Sequence, residues 1–572
     1  MFKNKERHTA LIPRYAMTKW QTTAKRLLRT RLAPASVSPV VLLLAATVLA
    51  ACSNKDASPS EQPYPPHNDS GRPNIVLFLL DDAGYSDMSA FGGEIQTPNI
   101  EHIVTEGMTV RRFYTTARCS PTRAGILTGL HPHDVGMADL AGEKFKTEFS
   151  AYQGRLPPAI PMISELLQAA GYRTYMQGKW HLGEVAGSQP DIESDAPPNQ
   201  RGFDHFFGFL RGQAAPYPIA GKHPYQHNGE TLSVDDGWYS IAELNRVTMK
   251  QLDRQFRDEP DTPFFLYIPS QAPHYPLQAP ETLIEKYREI YAQPLEDIWN
   301  QRVLHMRELG LFPQEAPVKF PTLTAKNEKA IRADAAIRAA MIETADAELG
   351  KLIQLLKDSG RLDNTLILVA SDNGAASNTG QLTNAPFRGA KGNLYEGGLL
   401  SPLVARWPAG NIGAGTRTDA MTTYLDIMPT FLQAADVAYP ETDWEGAPLQ
   451  PLSGRSLLPL FRGATLAPPE FFYWNLYGQF VVLQEGRWKL LGNRNYNEER
   501  ERAQKKPLLT VYDLLSDPAE TQNLAAVEQA KASLLLTEYQ KWAQEHGAVP
   551  FYQVLDAYRI NRGSKTPKAK EL

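Results

Sequence analysis

Four polar groups stand in the loops that follow apolar runs in this sequence: Asp81-Asp82 after residues 74–80, Lys179 and His181 after Thr174-Tyr175-Met176, His274 after residues 263–268, and Asp372-Asn373 after residues 366–370. Asp81, Asp82, Asp372 and Asn373 together offer three carboxylates and a carbonyl oxygen, a hard-oxygen set suited to Ca²⁺ or Mg²⁺. No Cys or His stands beside them at zinc-like spacing. A cation there would clamp an anionic group and steady the charge developing on it. A fifth candidate is Cys119, in the run Arg118-Cys119-Ser120-Pro121-Thr122-Arg123-Ala124-Gly125. Pro121 suits a first helical turn and Gly129 marks the end of the following helical stretch. Cys119 is therefore expected at a helix N-terminus, where free backbone N–H groups and the helix dipole favour an anion. Arg123, four residues on, falls on the same helix face. Taken singly, these motifs are ordinary turn and loop vocabulary. Their repeated placement at strand ends gives them weight, because open α/β sheets bind ligands beyond the carboxyl ends of their strands.

The elements that must position these groups alternate along the chain. Apolar runs at 74–80, 174–176, 263–268, 366–370 and 403–406 read as buried strands, with helical stretches at 159–170 and 328–358 between them. This alternation predicts an α/β domain with a mostly parallel sheet flanked by helices. Past about residue 466 the pattern changes to short, closely spaced strands: Phe471-Phe472-Tyr473-Trp474, Phe480-Val481-Val482-Leu483, Trp488-Lys489-Leu490-Leu491 and Leu509-Thr510-Val511-Tyr512-Asp513. With residues 527–546 as a closing helix, they predict a smaller C-terminal α+β subdomain built on a short antiparallel sheet and one long helix. Boundaries follow: a catalytic domain over 73–465, the C-terminal subdomain over 466–550, and a tail over 551–572. An insertion at 279–321, helical and rich in both charge signs, is expected to shape the substrate pocket or to form a solvated lid or a dimer contact.

The 572 residues exceed one ordinary core. Their 42% hydrophobic and 21% charged content matches soluble globular proteins, and a net charge of −4 argues against a nucleic-acid partner. At the N-terminus Lys25, Arg26, Arg29 and Arg31 precede an apolar run at 40–51 that is too short to span a bilayer. The run ends in Leu49-Ala50-Ala51-Cys52, which is similar to a bacterial lipobox. That similarity implies a lipoprotein signal over 1–51 and membrane anchoring through a lipidated Cys52. Ser53 points to an outer-membrane lipoprotein of a Gram-negative cell, in the periplasm or at the cell surface. Residues 52–72, rich in Ser, Pro, Asn and Asp, read as a flexible tether.

Cys119-Ser120-Pro121-Thr122-Arg123, followed by Ala124-Gly125-Ile126-Leu127-Thr128-Gly129, resembles the sulfatase signature. The resemblance runs on through Gly93-Glu94-Ile95-Gln96-Thr97-Pro98-Asn99-Ile100, Gly178-Lys179-Trp180-His181-Leu182-Gly183, Ala272-Pro273-His274 and Ser371-Asp372-Asn373-Gly374. It ends with Arg388-Gly389-Ala390-Lys391 before Tyr395-Glu396-Gly397-Gly398, and covers roughly residues 73–546. It is similar to the bacterial arylsulfatases of the alkaline-phosphatase superfamily, which implies a large mixed sheet. It also implies that a formylglycine-generating enzyme converts Cys119 to formylglycine (3-oxoalanine), before or during export. By the same resemblance, Asp81, Asp82, Asp372, Asn373 and the modified Cys119 hold Ca²⁺. Arg123 would hold the hydrated aldehyde, while Lys179 and Lys391 would neutralise sulfate oxygens. His181 would act as the base that triggers sulfate release, and His274, with Lys391, would protonate the leaving group. The implied substrate is a sulfate ester, either a small aryl sulfate or a sulfated glycan. Two rivals stand beside this reading: a formylglycine-dependent phosphonate monoester or phosphodiester hydrolase, and a non-catalytic, lipid-anchored binding protein on the same fold.

Overall fold

The computed structural model describes Tyr64 and residues 71–142, 147–183, 197–219, 223–376, 379–492 and 509–561. Cys52, the export signal, most of the tether and residues 562–572 lie outside the described residues. Among the described residues, no helix is long and apolar enough to cross a membrane.

Ten strands form the main sheet: β1 (Asn74–Leu80), β2 (Met108–Tyr114), β3 (Arg173–Lys179), β4 (His205–Phe209), β5 (Gln226–His227), β6 (Glu230–Thr231), β7 (Phe264–Pro269), β8 (Thr365–Ser371), β9 (Leu400–Arg406) and β10 (Thr416–Thr423). Their spatial order is β10-β2-β9-β8-β1-β7-β3-β4-β5-β6. β1 is buried along its whole length because both faces are covered. Ile75, Leu77 and Leu79 point into one apolar core, and Val76, Phe78 and Leu80 into the other. β8, β1, β7 and β3 are consecutive neighbours and pair in parallel. Their carboxyl ends therefore lie side by side, and these are the four ends that carry Asp372, Asp81, His274 and Lys179.

The sheet is mixed because β9 runs antiparallel to both β2 and β8. The apolar run at 403–406 identifies β9 but not its direction, which only its neighbours decide. β2, β4, β5, β6 and β10 escape the sequence reading; β2 carries Arg111 and Arg112 mid-strand, and β10 is Thr-rich and half exposed. The helix predicted at 328–358 spans Ala325–Asp358, with the Thr324 side chain accepting from the Asn327 N–H as its cap. The insertion is no solvated lid. Its helices Glu281–Ile290 and Leu295–Glu308 bury Tyr287 and Trp299 in the same core as Val76 and Phe78, and Arg302 is buried too.

The C-terminal sheet is an antiparallel meander of β11 (Phe471–Leu476), β12 (Gln479–Gln484), β13 (Trp488–Gly492) and β14 (Leu509–Asp513). Helix Gln529–Glu545 covers it through Leu535 and through Tyr539, stacked on Phe480 at 3.9 Å between ring centroids. The stretch read as a tail begins instead with a helix, Phe551–Asn561. The apolar spacing of Val554 and Tyr558 lets it bury one face against Ala138, Ala151 and Tyr152. Tyr558 also donates to Asp139 Oδ2 at 2.9 Å.

The joint between subdomain and main domain is lined with histidine. His131 and His133 pack their rings against Trp542, and His546 pairs with Asp134 at 2.6 Å. Burial pushes His131 down to about 4 and His133 well below its usual range, so both are neutral in the folded protein. Below about pH 6.5 the unfolded chain takes up protons there that the folded chain refuses. Stability is therefore expected to fall as pH drops from 6.5 towards 4, by roughly 3 kcal/mol for His131 alone. In urea unfolding across that range, His131→Gln should flatten the slope; an unchanged slope would contradict the assignment.

Candidate active site

Cys119 is the first residue of helix Cys119–Thr128, capped by the extended Arg118 and ended by Gly129 in the left-handed conformation, as the sequence predicts. Its thiol is buried and unpaired. Sγ lies 3.6 Å from Asp81 Oδ1 and accepts a hydrogen bond from Lys391 Nζ at 3.0 Å. Lys391 Nζ also donates to Asp82 Oδ1 at 2.5 Å, and Lys179 Nζ to Asp81 Oδ2 at 2.7 Å. His274 Nε2 stands 3.8 Å from Asp82 Oδ2. On the far side, Arg123 Nε and Nη2 bind Asp372 Oδ2 at 3.0 and 2.8 Å. The Asp82 N–H donates to Asp372 Oδ1 at 3.2 Å, and Asn373 Nδ2 to Asp82 Oδ1 at 2.7 Å. Nine residues from six separate stretches thus meet in one cluster, buried except for the partly exposed His274 and Lys391.

Two side chains have surroundings that the sequence does not reveal. Arg123 spends its donors on Asp372 and on the Lys179 carbonyl at 2.9 Å, so it braces the carboxylates and makes no bond to Sγ. His181 adopts a left-handed backbone with φ of 57° two residues beyond Lys179, and its Nδ1 is buried without a partner. Gly212 closes over its ring. A Cβ there would come within 2.7 Å of His181 Cε1 and Nε2, so only glycine permits that approach.

Electrostatics follow from crowding charge in a dry place. Burial alone would raise the Asp82 carboxyl, but Lys391, His274 and Lys179 override it and hold the group ionised. Burial likewise opposes a Cys119 thiolate, yet Lys179 and Lys391 pull that thiol well below its usual range. For His274 burial works against the charged form, while Asp81 and Asp82 raise it. Burial, with Lys179 and Arg123 nearby, keeps His181 neutral. Asp372 is pushed well above the carboxylate range by burial, by Asp81 and by Cys119, against which Arg123 is insufficient. Asp372 is thus a carboxyl whose burial the fixed cations around it do not offset.

The cluster's oxygen donors suit a hard cation. Asp81, Asp82, Cys119 and His274 bring ligand atoms within 4.8 Å of one another. Asn373 Oδ1, from the oxygen set read in the sequence, is buried with no hydrogen-bond partner. An orphaned carbonyl oxygen beside three carboxylates is what an oxygen-ligated cation would satisfy.

Two supporting networks escape the sequence reading. Arg302, from the insertion, pairs with Glu94 and Asp87, and Arg338 donates to Asp87 Oδ2 at 3.1 Å and to the Asp82 carbonyl at 2.7 Å. These buried arginines fix the Asp81-Asp82 turn from behind, where Asp82 holds a left-handed φ of 71°. Arginines in amphipathic helices read as surface charge, and nothing local marks them as buried. From the C-terminal subdomain, Lys489 reaches Glu396 and Glu520, each at 2.8 Å, while the Glu396 N–H donates to Glu520 Oε2 at 2.7 Å. This triad anchors the segment after Lys391, whose Gly397 carbonyl lies so close to Gly374 that a Cβ there would approach to 1.9 Å. Burial, with Glu396 alongside, lifts Glu520 to about 7 even though Lys489 opposes it. Lys489→Met strands two buried carboxyls and should cost about 3–5 kcal/mol in urea unfolding. A triple change adding Glu396→Gln and Glu520→Gln should recover most of the loss.

Comparison with known proteins agrees with this geometry. The Sulfatase family profile matches residues 73–437, and the profile described as N-sulphoglucosamine sulphohydrolase, C-terminal matches residues 390–546. An uncharacterized sulfatase of Schizosaccharomyces pombe is 30% identical over 544 residues, covering 84% of this chain and 95% of its own. The arylsulfatase of Klebsiella aerogenes is 33% identical over 320 residues, covering 53% of this chain and 66% of its own. Among solved structures, Ps i-CgsB in complex with k-i-k-neocarrahexaose aligns with a TM-score of 0.64 at 24% identity, covering 86% of this chain and 98% of that one. The phosphonate monoester hydrolase of Agrobacterium radiobacter shares the fold at a TM-score of 0.54 and 21% identity, over 83% of this chain and 96% of its own. With the Cys119 signature, the converging strand ends and these matches in hand, the chain belongs to the sulfatase family, hydrolases of sulfuric esters.

Proposed function

We propose that this protein hydrolyses sulfate monoesters, of phenols or of sulfated glycans, using a formylglycine made from Cys119. The observation that carries the reading is the place of Cys119 Sγ, at a helix N-terminus between Asp81 at 3.6 Å and Lys391 at 3.0 Å. In this structure Sγ stands where the modified side chain would project. The hydrated aldehyde would supply two hydroxyls on one carbon. One would take the sulfo group as the ester's alcohol or phenol leaves; the other would release it as sulfate by giving up its proton and re-forming the C=O bond. A single hydroxyl would end as a stable sulfate ester.

Asp81, Asp82, Asp372 and Asn373 would hold Ca²⁺, with Mg²⁺ as the alternative, and when bound the ion supplies charge that polarises a sulfate oxygen. The chain's own groups do the rest. Lys179 and Lys391 place two ammonium groups where the sulfo group enters, fixed in advance by Asp81 and Asp82. Arg123 keeps Asp372 in place. His274, protonated through Asp81 and Asp82, can give a proton to the departing oxygen with help from Lys391. His181, held neutral, can accept the proton released as sulfate leaves.

Turnover of 4-nitrophenyl sulfate against the matching phosphonate monoester and phosphodiester tests the reading. A higher kcat/KM on the sulfate supports it; preference for either phosphorus ester reverses it. The proposed site of action is the periplasm or cell surface, through a lipid on Cys52. Palmitate labelling that survives Cys52→Ala would exclude the anchor.

A further inference from the structure

A second cavity lies beside the Lys391 loop. It has a volume of about 640 Å³, within the range of small-molecule sites. Three distant pieces of chain build it: the insertion with Trp299, Lys319 and Phe320, the loop 386–395 with Arg388 and Tyr395, and the subdomain turn 519–521. Nothing in the mechanism above uses it. Ala390 is part of its wall, and the next residue, Lys391, reaches Cys119 Sγ at 3.0 Å. The cavity and the reactive cluster are thus neighbours along one loop.

Its lining is selective. Lys319 and Arg388 are exposed cations, and Arg388 is stacked on the Tyr395 ring at 4.2 Å from its centroid. The one acidic lining residue, Glu520, is buried and faces Lys489. The charge offered to a ligand is therefore positive. Tyr395 and Phe320 add ring faces of the kind that pack on the C–H face of a sugar, and Arg388, whose Nη1 donates to Tyr512 Oη and the Glu520 carbonyl at 3.3 Å each, adds charge for a sulfate group.

We infer that this cavity binds a second sulfated sugar of an oligosaccharide whose neighbouring sulfate ester reacts at Cys119. The inference rests on the sulfatase reading and narrows it. The substrate is a sulfated oligosaccharide, and a small aryl sulfate fills only the reactive cluster.

The test uses hexasaccharides from heparin, chondroitin sulfate, carrageenan and fucoidan, each beside its desulfated counterpart. Binding is measured by calorimetry on full-length protein carrying Cys119→Ala, so that it does not depend on turnover. At least one sulfated hexasaccharide should bind about ten-fold or more tighter than its desulfated form. Adding Lys319→Ala and Arg388→Ala should weaken it by about ten-fold or more. In the active protein the same pair should lower kcat/KM for that hexasaccharide at least about ten-fold more than for 4-nitrophenyl sulfate. Lys319→Glu alone, at an exposed position that leaves folding intact, should weaken binding in the same direction. Absence of hexasaccharide binding, binding indifferent to both changes, or equal loss on the two substrates overturns the inference. If 4-nitrophenyl sulfate is still hydrolysed in any of those cases, the sulfatase reading stands. If protein with a modified Cys119 cleaves no sulfate ester, both fall.

Discussion

Cys119→Ala should abolish sulfate-ester hydrolysis, lowering kcat/KM by about 10⁴-fold or more, while the protein unfolds close to the wild-type midpoint. The side chain is small and its Sγ faces charged groups, so little apolar packing is lost. Cys119→Ser makes the sharper experiment. It keeps a hydroxyl at the helix N-terminus, within the same reach of Lys391, but gives it no second oxygen with which to expel sulfate. The expected result is one turnover per protein molecule followed by arrest, with intact mass rising by one sulfo group. Steady turnover by the serine variant would show that the covalent ester is hydrolysed without a geminal hydroxyl. For the wild-type protein, mass spectrometry of the peptide carrying Cys119 should find an aldehyde without sulfur. An intact thiol in active protein would refute the mechanism.

Cation removal should have the second-largest effect. Exhaustive chelation is expected to reduce activity by about 10³-fold or more, and Ca²⁺ to restore it. A readout independent of turnover is available in stability. Asp372 is driven well above the carboxylate range by burial, Asp81 and Cys119. A folded-state value raised in this way lowers stability as pH rises above the ordinary carboxylate range, because the unfolded chain gives up that proton first. A bound cation relieves the penalty. Ca²⁺ should therefore stabilise the protein more at pH 7 than at pH 5, and by about 2.7 kcal/mol at the pH where it is present at 100 times its Kd. Asp372→Asn should abolish most of that pH-dependent gain. Equal midpoints with and without Ca²⁺ at both pH values would exclude a cation at this cluster.

Much of the candidate site was legible because its chemistry is local in sequence. The helix start at Cys119 needs only Pro121 and Gly129, and the acidic and basic pairs announce themselves by standing at the ends of apolar runs. Parallel order in a sheet cannot be read this way, since the pairing partners of β8, β1, β7 and β3 are up to about three hundred residues apart. The same reason hid β9's reversed direction. Arg302, Arg338 and Lys489 were missed because a charged residue in a helix or short strand is usually solvated. Only the fold shows that a carboxylate waits opposite each of them. Arg123 was found but its contacts were not: it faces Asp372, a residue 249 positions away.

By itself, the sequence determined the kinds of group this protein could bring to a reaction, the strand ends that carry them, and a family resemblance strong enough to name the reaction. The tertiary structure alone decided that those ends are neighbours, that their charges leave Asp372 in want of a cation, and that insertion and subdomain close a cavity beside Lys391. The physical reason is range. Propensity, capping and patterning act over a few residues, whereas desolvation and Coulomb interactions depend on what is close in space, whatever lies between in the chain.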